Sequence, residues 1–524
     1  MKKILSLVFA CCISASSLQV TAQSGGTASG KKEKLVGMYV HQHWSYQHPY
    51  AARTWSLEDW RGYVEGIQKL GYNFVLIWPM METMPEPLTP SDEANLTKIS
   101  KVIDMIHNDY NMKVSIVFCP NVSPKSEEGR KYTFENRPFF HTDDRVDPGD
   151  PVAFGKLMSW REKIFAPLAK ADGLFIIDCD PGGYPNSTNM EFVYILGAHR
   201  RMLDRLRPGI EIFYWALHGW ESYSRFYLTG EFNSAHPSEL RDAIALMSKQ
   251  KLEPWAVASG RGADLADSLG MSDRVLAFPY GKIENEPSFP FTRYDVKSAY
   301  EGGQNGGKRG VLGNAQTHVV QLPNTFAFAR GARNLPTEKA DYIAFANDLI
   351  PGYGQTIVEG WEALQTTDSK RIDACVKKLV ALQKSNPTAG PLKGLIFNNP
   401  VSFANDLALQ LQMASTLYSF KAAVDAPEKN TREIKKTLAA FSGAADAWQQ
   451  KHQYNNSWNW APMRQALRKL DSAPVNSVLD THKFTSDIGE TPFDKVKNGL
   501  ALMESYTPRL LTSIRQALKD MEKK

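Results

Sequence analysis

The segment Leu174-Phe175-Ile176-Ile177-Asp178-Cys179-Asp180-Pro181-Gly182-Gly183-Tyr184 decides how this chain reads. Four apolar residues run into two acids one residue apart, and a Pro-Gly-Gly turn ends the run, as a short buried strand with chemistry at its exit would. Outward from it the same unit recurs. Apolar runs at Val36–His43, Phe74–Pro79, Val114–Cys119, Leu174–Asp180, Ile212–His218, Pro254–Ser259, Val275–Tyr280 and Val311–Thr317 are each followed by a polar or Gly/Pro-rich loop and then a helical pattern. Ser56, Thr89 and Ser238 stand where helix N-caps belong. Eight strand and helix pairs predict an α/β fold, a closed parallel (β/α)8 TIM barrel over residues 35–334, rather than an open doubly wound sheet. No GxGxxG follows the first strand, which argues against a dinucleotide site.

From residue 335 strand-like runs give way to helical segments at Thr337–Leu349, Asp368–Gln383, Asn405–Val424 and Thr431–Gln450, so residues 335–524 are expected to form a mostly α-helical C-terminal domain. Leu407, Leu411, Ala414, Leu417 and Tyr418 make one apolar stripe that reads as packing. At the other end, Lys2 and Lys3 precede the apolar run Ile4–Ile13, and Val20-Thr21-Ala22 fits a cleavage site. Residues 1–22 read as a secretory signal peptide and 23–34 as a linker, which implies a secreted or periplasmic protein; Cys11 and Cys12 leave lipoprotein anchoring as the lesser alternative. No later stretch reaches the roughly 20 apolar residues that span a bilayer.

Composition narrows the partners. The 524 residues are 43% hydrophobic and 22% charged, which excludes a disordered or fibrous chain. The formal net charge of +5, from 61 Lys plus Arg against 56 Asp plus Glu, comes without basic blocks, so nucleic acid is not the expected partner and a roughly neutral ligand is. Past the signal, Cys119, Cys179 and Cys375 fall in no metal-ligand pattern and read as buried small hydrophobes.

In a parallel barrel the reactive groups stand at the C-terminal ends of strands. Here those ends carry His41, His43 and Trp44, then Trp78 and Glu82, Asn121, Tyr184, Trp215 and His218, Tyr280, and Asn314, Gln316 and His318. Tryptophan and tyrosine faces suit the flat apolar sides of sugar rings, while Asn, Gln, His and acids suit their hydroxyls, so these thirteen residues are the expected carbohydrate-binding set. At the two-residue strand period Leu174, Ile176, Asp178 and Asp180 share one face, which predicts two catalytic carboxylates roughly 6.5 Å apart at the rim, one raising the other's pKa. That is the requirement for cleaving a glycosidic bond. Other candidate acids are Glu82, Asp143, Asp144, Glu284 and Glu286. A rival reading uses His41, His43 and His218 with an Asp to hold a metal for hydrolysis; sugar binding is the preferred use of these histidines, with no cofactor and no metal. A barrel that binds glycans without cleaving them is the third reading.

The passage Val36–Asn121, with its first-strand His and Trp, its "LEDW" helix start and "LGYNFVLIWPMMETMPEPLTPSD", resembles the barrel of exported bacterial glycoside hydrolases, and the layout of barrel plus helical domain is similar to glycoside hydrolase families 20, 84 and 67. Families 20 and 84 carry two adjacent acids at the fourth strand's end. The resemblance implies Asp178 as the residue orienting a substrate 2-acetamido group and Asp180 as general acid/base, in an exo-acting enzyme that removes a terminal sugar. Here Cys179 separates the two acids, so an ordinary two-carboxylate mechanism stays open.

Overall fold

Eight parallel strands pair in chain order and the last returns to the first. They are β1 (Leu35–His41), β2 (Phe74–Trp78), β3 (Lys113–Phe118), β4 (Gly173–Ile177), β5 (Glu211–Ala216), β6 (Trp255–Ser259), β7 (Val275–Ala277) and β8 (Gly310–Asn314). The register from Leu35↔Gly310 to Tyr39↔Asn314 closes the barrel. This computed structural model describes residues 33–524 apart from 45, 141, 180–181, 232–236, 285–289, 454–459, 482–484 and 524; the side chains of 237, 238 and 263 are also outside the description. The signal segment, nearly all of the linker, and the candidates Asp180, Glu286 and Ser238 therefore lie outside the described residues. Residues 34–524 form one compact unit.

Each of the eight apolar runs overlaps one strand, but the runs extend past most strand ends, because the residues that close them belong to the rim loops. Side-chain contacts fix which residues face the barrel axis. A Cβ on Gly37 would meet Leu312 and Phe74 at 2.6 Å, and one on Gly173 would meet Ser115 Oγ at 2.7 Å and Phe213 at 3.0 Å. Phe175 stacks on Phe213 with centroids 4.1 Å apart. These two glycines leave the room that the phenylalanines fill. By alternation the inward set continues with Tyr39 and His41 on β1, Trp78 on β2, Ile177 on β4 and Trp215 on β5.

The N-caps at Ser56 and Thr89 are formed, each as a capping box with an Asp three residues on. After β8 the chain is helical, with Lys339–Leu349, Ser369–Lys384, Pro400–Asp425 and Thr431–His452 the main elements and Pro492–Glu504 near the end. Leu407, Leu411, Ala414 and Leu417 are buried, as their stripe predicts. So are the three cysteines. Among the described residues no helix is long and apolar enough to cross a membrane. The loop after β3 adds an antiparallel pair, Val122–Pro124 with Asp143–Arg145, which no sequence signal indicated.

Candidate functional site

The axis of the barrel is floored by rings from opposite strands. Tyr39 meets Trp215 edge-on at 5.1 Å and Phe278 at 6.0 Å, and lies 6.5 Å from Trp78. Phe278, just past β7, was not singled out from sequence; it packs at 4.8 Å on Trp215 and closes the floor. Two residues further toward the mouth, His41 stacks on Tyr39 at 5.4 Å. His43 follows, stacked on Trp44 at 4.2 Å and facing Phe139 at 4.5 Å. Trp44 donates its indole N–H to Gln316 Oε1 at 3.0 Å, and Gln316 Nε2 donates to the Tyr280 hydroxyl at 3.3 Å, so the loops after β1, β7 and β8 are tied into one wall.

Burial strips the imidazoles of charge. His41 has its pKa lowered to about 3, by desolvation first and the nearby Arg53 guanidinium second. His43 and His318 are held far below the usual range, chiefly by desolvation. His41 Nδ1 accepts the backbone N–H of His43 at 3.1 Å, which puts the ring proton on Nε2. That Nε2, and those of His43 and His318, are enclosed without a hydrogen-bond partner. His318 pairs its Nδ1 with the Tyr63 hydroxyl at 2.6 Å and rests on Trp55, on the helix side of the first strand. Arg53, also missed from sequence, carries the backbone of this corner by donating to the carbonyls of Gln42 and His43.

The carboxylates do something the sequence did not suggest. Asp178 does not emerge on the inner face with the barrel axis. Ile177 is the last inward residue of β4, and Asp178 turns to the helix side, where Tyr214, packed on Phe192 of the helix Asn189–Leu206, donates its hydroxyl to Oδ2 at 2.9 Å. Oδ1 accepts from the backbone N–H groups of Leu217 (3.3 Å) and His218 (3.1 Å), and Oδ2 from that of Gly219 (2.8 Å). Alternation along β4 tells which residues share a face but not which face is inside; Gly173 and Phe175 point inward, which puts Asp178 on the other face. Glu82 accepts from Trp78 Nε1 and from the backbone N–H of Cys119 past β3. Glu284 accepts from the N–H groups of Gln316 (2.6 Å) and Thr317 (2.8 Å) and from the Thr317 hydroxyl (2.7 Å), past β8. The three form a pattern: an acid past one strand clamps the loop of the next, β2 to β3, β4 to β5 and β7 to β8. Asp143 is paired with Arg145, both buried.

Burial raises the pKa of all three clamps, against the lowering effect of their donors. For Glu284 the result is about 7, from an ordinary 4.5. The folded protein thus holds a proton on Glu284 that the unfolded chain releases, so its contribution makes stability fall as pH rises from about 4.5 through about 7. Thr317→Val removes a donor that favours the ionised form and should extend that fall to higher pH, whereas Glu284→Gln should flatten it. Thermal melts of the three proteins at pH 5 and pH 8 check both, and an identical pH dependence in all three would contradict the assignment.

The remaining expected residues divide. Asn314 spans Gly281 N–H and the Glu284 carbonyl and is structural. Asn121 donates to the Val146 carbonyl, with its Oδ1 enclosed and unpartnered. His218, lowered to about 4 by burial, lies beside Tyr223, and with Tyr184 and Tyr280 it is among the half-buried residues at the loop ends. The Tyr184 hydroxyl donates to Glu191. The metal reading needed His41, His43, His218 and an Asp to converge; among the described residues no three of His, Cys, Asp or Glu are placed to hold an ion.

No family model matches this chain, and no curated protein does. Its likenesses are to solved barrels. An O-GlcNAc hydrolase from Thermobaculum terrenum is similar over 94% of this chain and 97% of its own at 9% identity, TM-score 0.38. CpGH84D is similar over 93% and 75% at 8% identity, TM-score 0.37. The GH20 catalytic modules of the pneumococcal exo-beta-D-N-acetylglucosaminidase StrH are similar over 73% and 98% at 10% identity, TM-score 0.33. Likeness at this level carries no functional weight, and the (β/α)8 barrel stands on its own closed strand register.

Proposed function

We propose that the chain is an exported glycoside hydrolase that removes a terminal sugar from a glycan. The observation that carries this reading is the inward aromatic floor topped by neutral imidazoles, His41 and His43, whose Nε2 atoms no protein group satisfies. Enclosed polar atoms without a partner cost about 1–3 kcal/mol each, a cost that a ligand's hydroxyls would offset. Uncharged imidazole nitrogens beside aromatic faces suit a neutral, polyhydroxylated ring; a charged ligand would meet no free charge on these imidazoles. With Glu82, Asp178 and Glu284 engaged by loop backbones, the general acid/base of this reading is Asp180, three residues after β4 in the sequence. Asp178 supports it by fixing the neighbouring β5 loop. An N-acetylhexosamine, with its own acetamido group as nucleophile, is the first substrate to try.

The test is release of 4-nitrophenol from a panel of α- and β-glycosides, N-acetylglucosaminides included. Turnover on at least one member is expected, and His41→Ala should weaken binding of that member about 3- to 10-fold, the worth of one neutral hydrogen bond. The same commitment of three rim carboxylates to clamps favours one second reading, a barrel that binds glycans without cleaving them. Sugar binding with no turnover on any member would select it.

A further inference from the structure

Above His43 the site is covered, and the cover is fastened from the far end of the chain. Phe139 and Phe140 face the His43 ring at 4.5 and 5.5 Å, and Phe139 also lies 6.2 Å from Trp78. Both backbone N–H groups of this pair donate to Glu504 Oε1, at 2.7 and 3.3 Å. Glu504 is the last residue of the helix Pro492–Glu504, 2% exposed, and its Oε2 is enclosed with no hydrogen-bond partner. The helix is seated on the barrel's rim: Phe493 packs on Tyr227 at 4.8 Å and Lys497 reaches Asp144 at 3.6 Å.

This clamp differs from the three within the barrel. Those join neighbouring strand loops, whereas Glu504 joins a loop to a separate helical element, through two backbone N–H bonds alone. Burial lifts its carboxyl to about 8, with the Asp143 carboxylate adding to the lift and Arg53 opposing it. Two backbone N–H donors sharing one oxygen are a small polar tie for a loop to break. Beneath it sit the unpartnered His43 Nε2 and the Trp44 ring, the features a sugar would use, and both are closed off while the phenylalanines stay in place.

We propose that Glu504 is the latch of a cover over the ligand site. While Oε1 holds Phe139 and Phe140, the His43–Trp44 pair is shut; release of the two N–H groups lets a flat, neutral, hydroxyl-bearing ring lie against Trp44 and bond His43. The helical region thus governs entry to the barrel. Only the nature of the ligand rests on the glycosidase reading; the latch itself does not.

The test is acylation of histidines by diethyl pyrocarbonate, mapped by peptide mass spectrometry, in the full chain. A neutral imidazole is the reactive form, so His43 reports exposure directly, and the half-exposed His48 serves as the internal standard. Wild type and Glu504→Gln, whose amide oxygen still accepts both N–H groups, should leave His43 protected. Glu504→Ala should raise its labelling at least fivefold relative to His48. Phe140→Ala, which thins the cover without touching the helix, should do the same and remains informative if Glu504→Ala does not fold. Protection of His43 at the wild-type level in Glu504→Ala overturns the latch, and the same result in Phe140→Ala overturns the cover itself. Failure of every glycoside to react would instead count against the hydrolase reading and leave this result standing.

Discussion

Asp180→Asn is expected to reduce kcat/KM for glycosides with poor leaving groups about 100- to 10,000-fold while leaving the thermal midpoint near wild type. Departure of a sugar alkoxide needs a proton at the leaving oxygen, and an amide cannot supply one. The described acids of the rim offer little competition. Glu82 and Asp178 each use both oxygens to accept from the protein, and Glu284 does so too. Aryl glycosides with activated leaving groups need less protonation, so the variant should retain far more of its rate on 4-nitrophenyl than on alkyl glycosides. An equal loss on both would mean that Asp180 acts elsewhere in the mechanism.

Asp178→Ala is expected to be the most damaging single change to the rim. Removal of this carboxylate strands three backbone N–H groups and the Tyr214 hydroxyl in a region where Asp178 is 0% exposed. Each stranded donor costs about 1–3 kcal/mol unless water reaches it, so a net loss of about 3 kcal/mol is the conservative figure. Denaturant titration would show it as a lowered midpoint at unchanged slope. Because the loop Leu217–Gly219 carries His218, activity should fall as well. Asp178→Asn tests the distinction between clamp and catalyst: it keeps one accepting oxygen and should recover part of the stability, with activity following stability rather than vanishing.

The barrel was legible because its signals are local. Apolar runs of six to eight residues, each followed by a loop and a helical pattern, need no knowledge of the partner strand, and Ser56 and Thr89 cap as their spacing implies. The rim was legible as a list of residues but not as roles. Whether Asp178 points toward the axis or the helices depends on which face of β4 is inside, and that is set by Phe175 stacking on Phe213 of the neighbouring strand and facing Phe74 of β2 inside the barrel. The clamps were equally invisible: Glu284 and Thr317 are 33 residues apart, and polar loop acids read as solvated by default. Glu504 lies 365 residues from Phe139, and nothing in a helix ending Leu-Met-Glu marks that glutamate as buried. Phe278 and Arg53 went unnoticed for the opposite reason, since a lone aromatic or arginine near a strand end carries no pattern.

The measurement that bears most directly on the whole account is hydrolysis of a glycoside series graded by leaving-group acidity, run with wild type and Asp180→Asn. The account predicts measurable wild-type turnover with a shallow dependence on the leaving group, and a steep dependence in the variant. Absence of turnover on every glycoside, or a variant indistinguishable from wild type across the series, would contradict it.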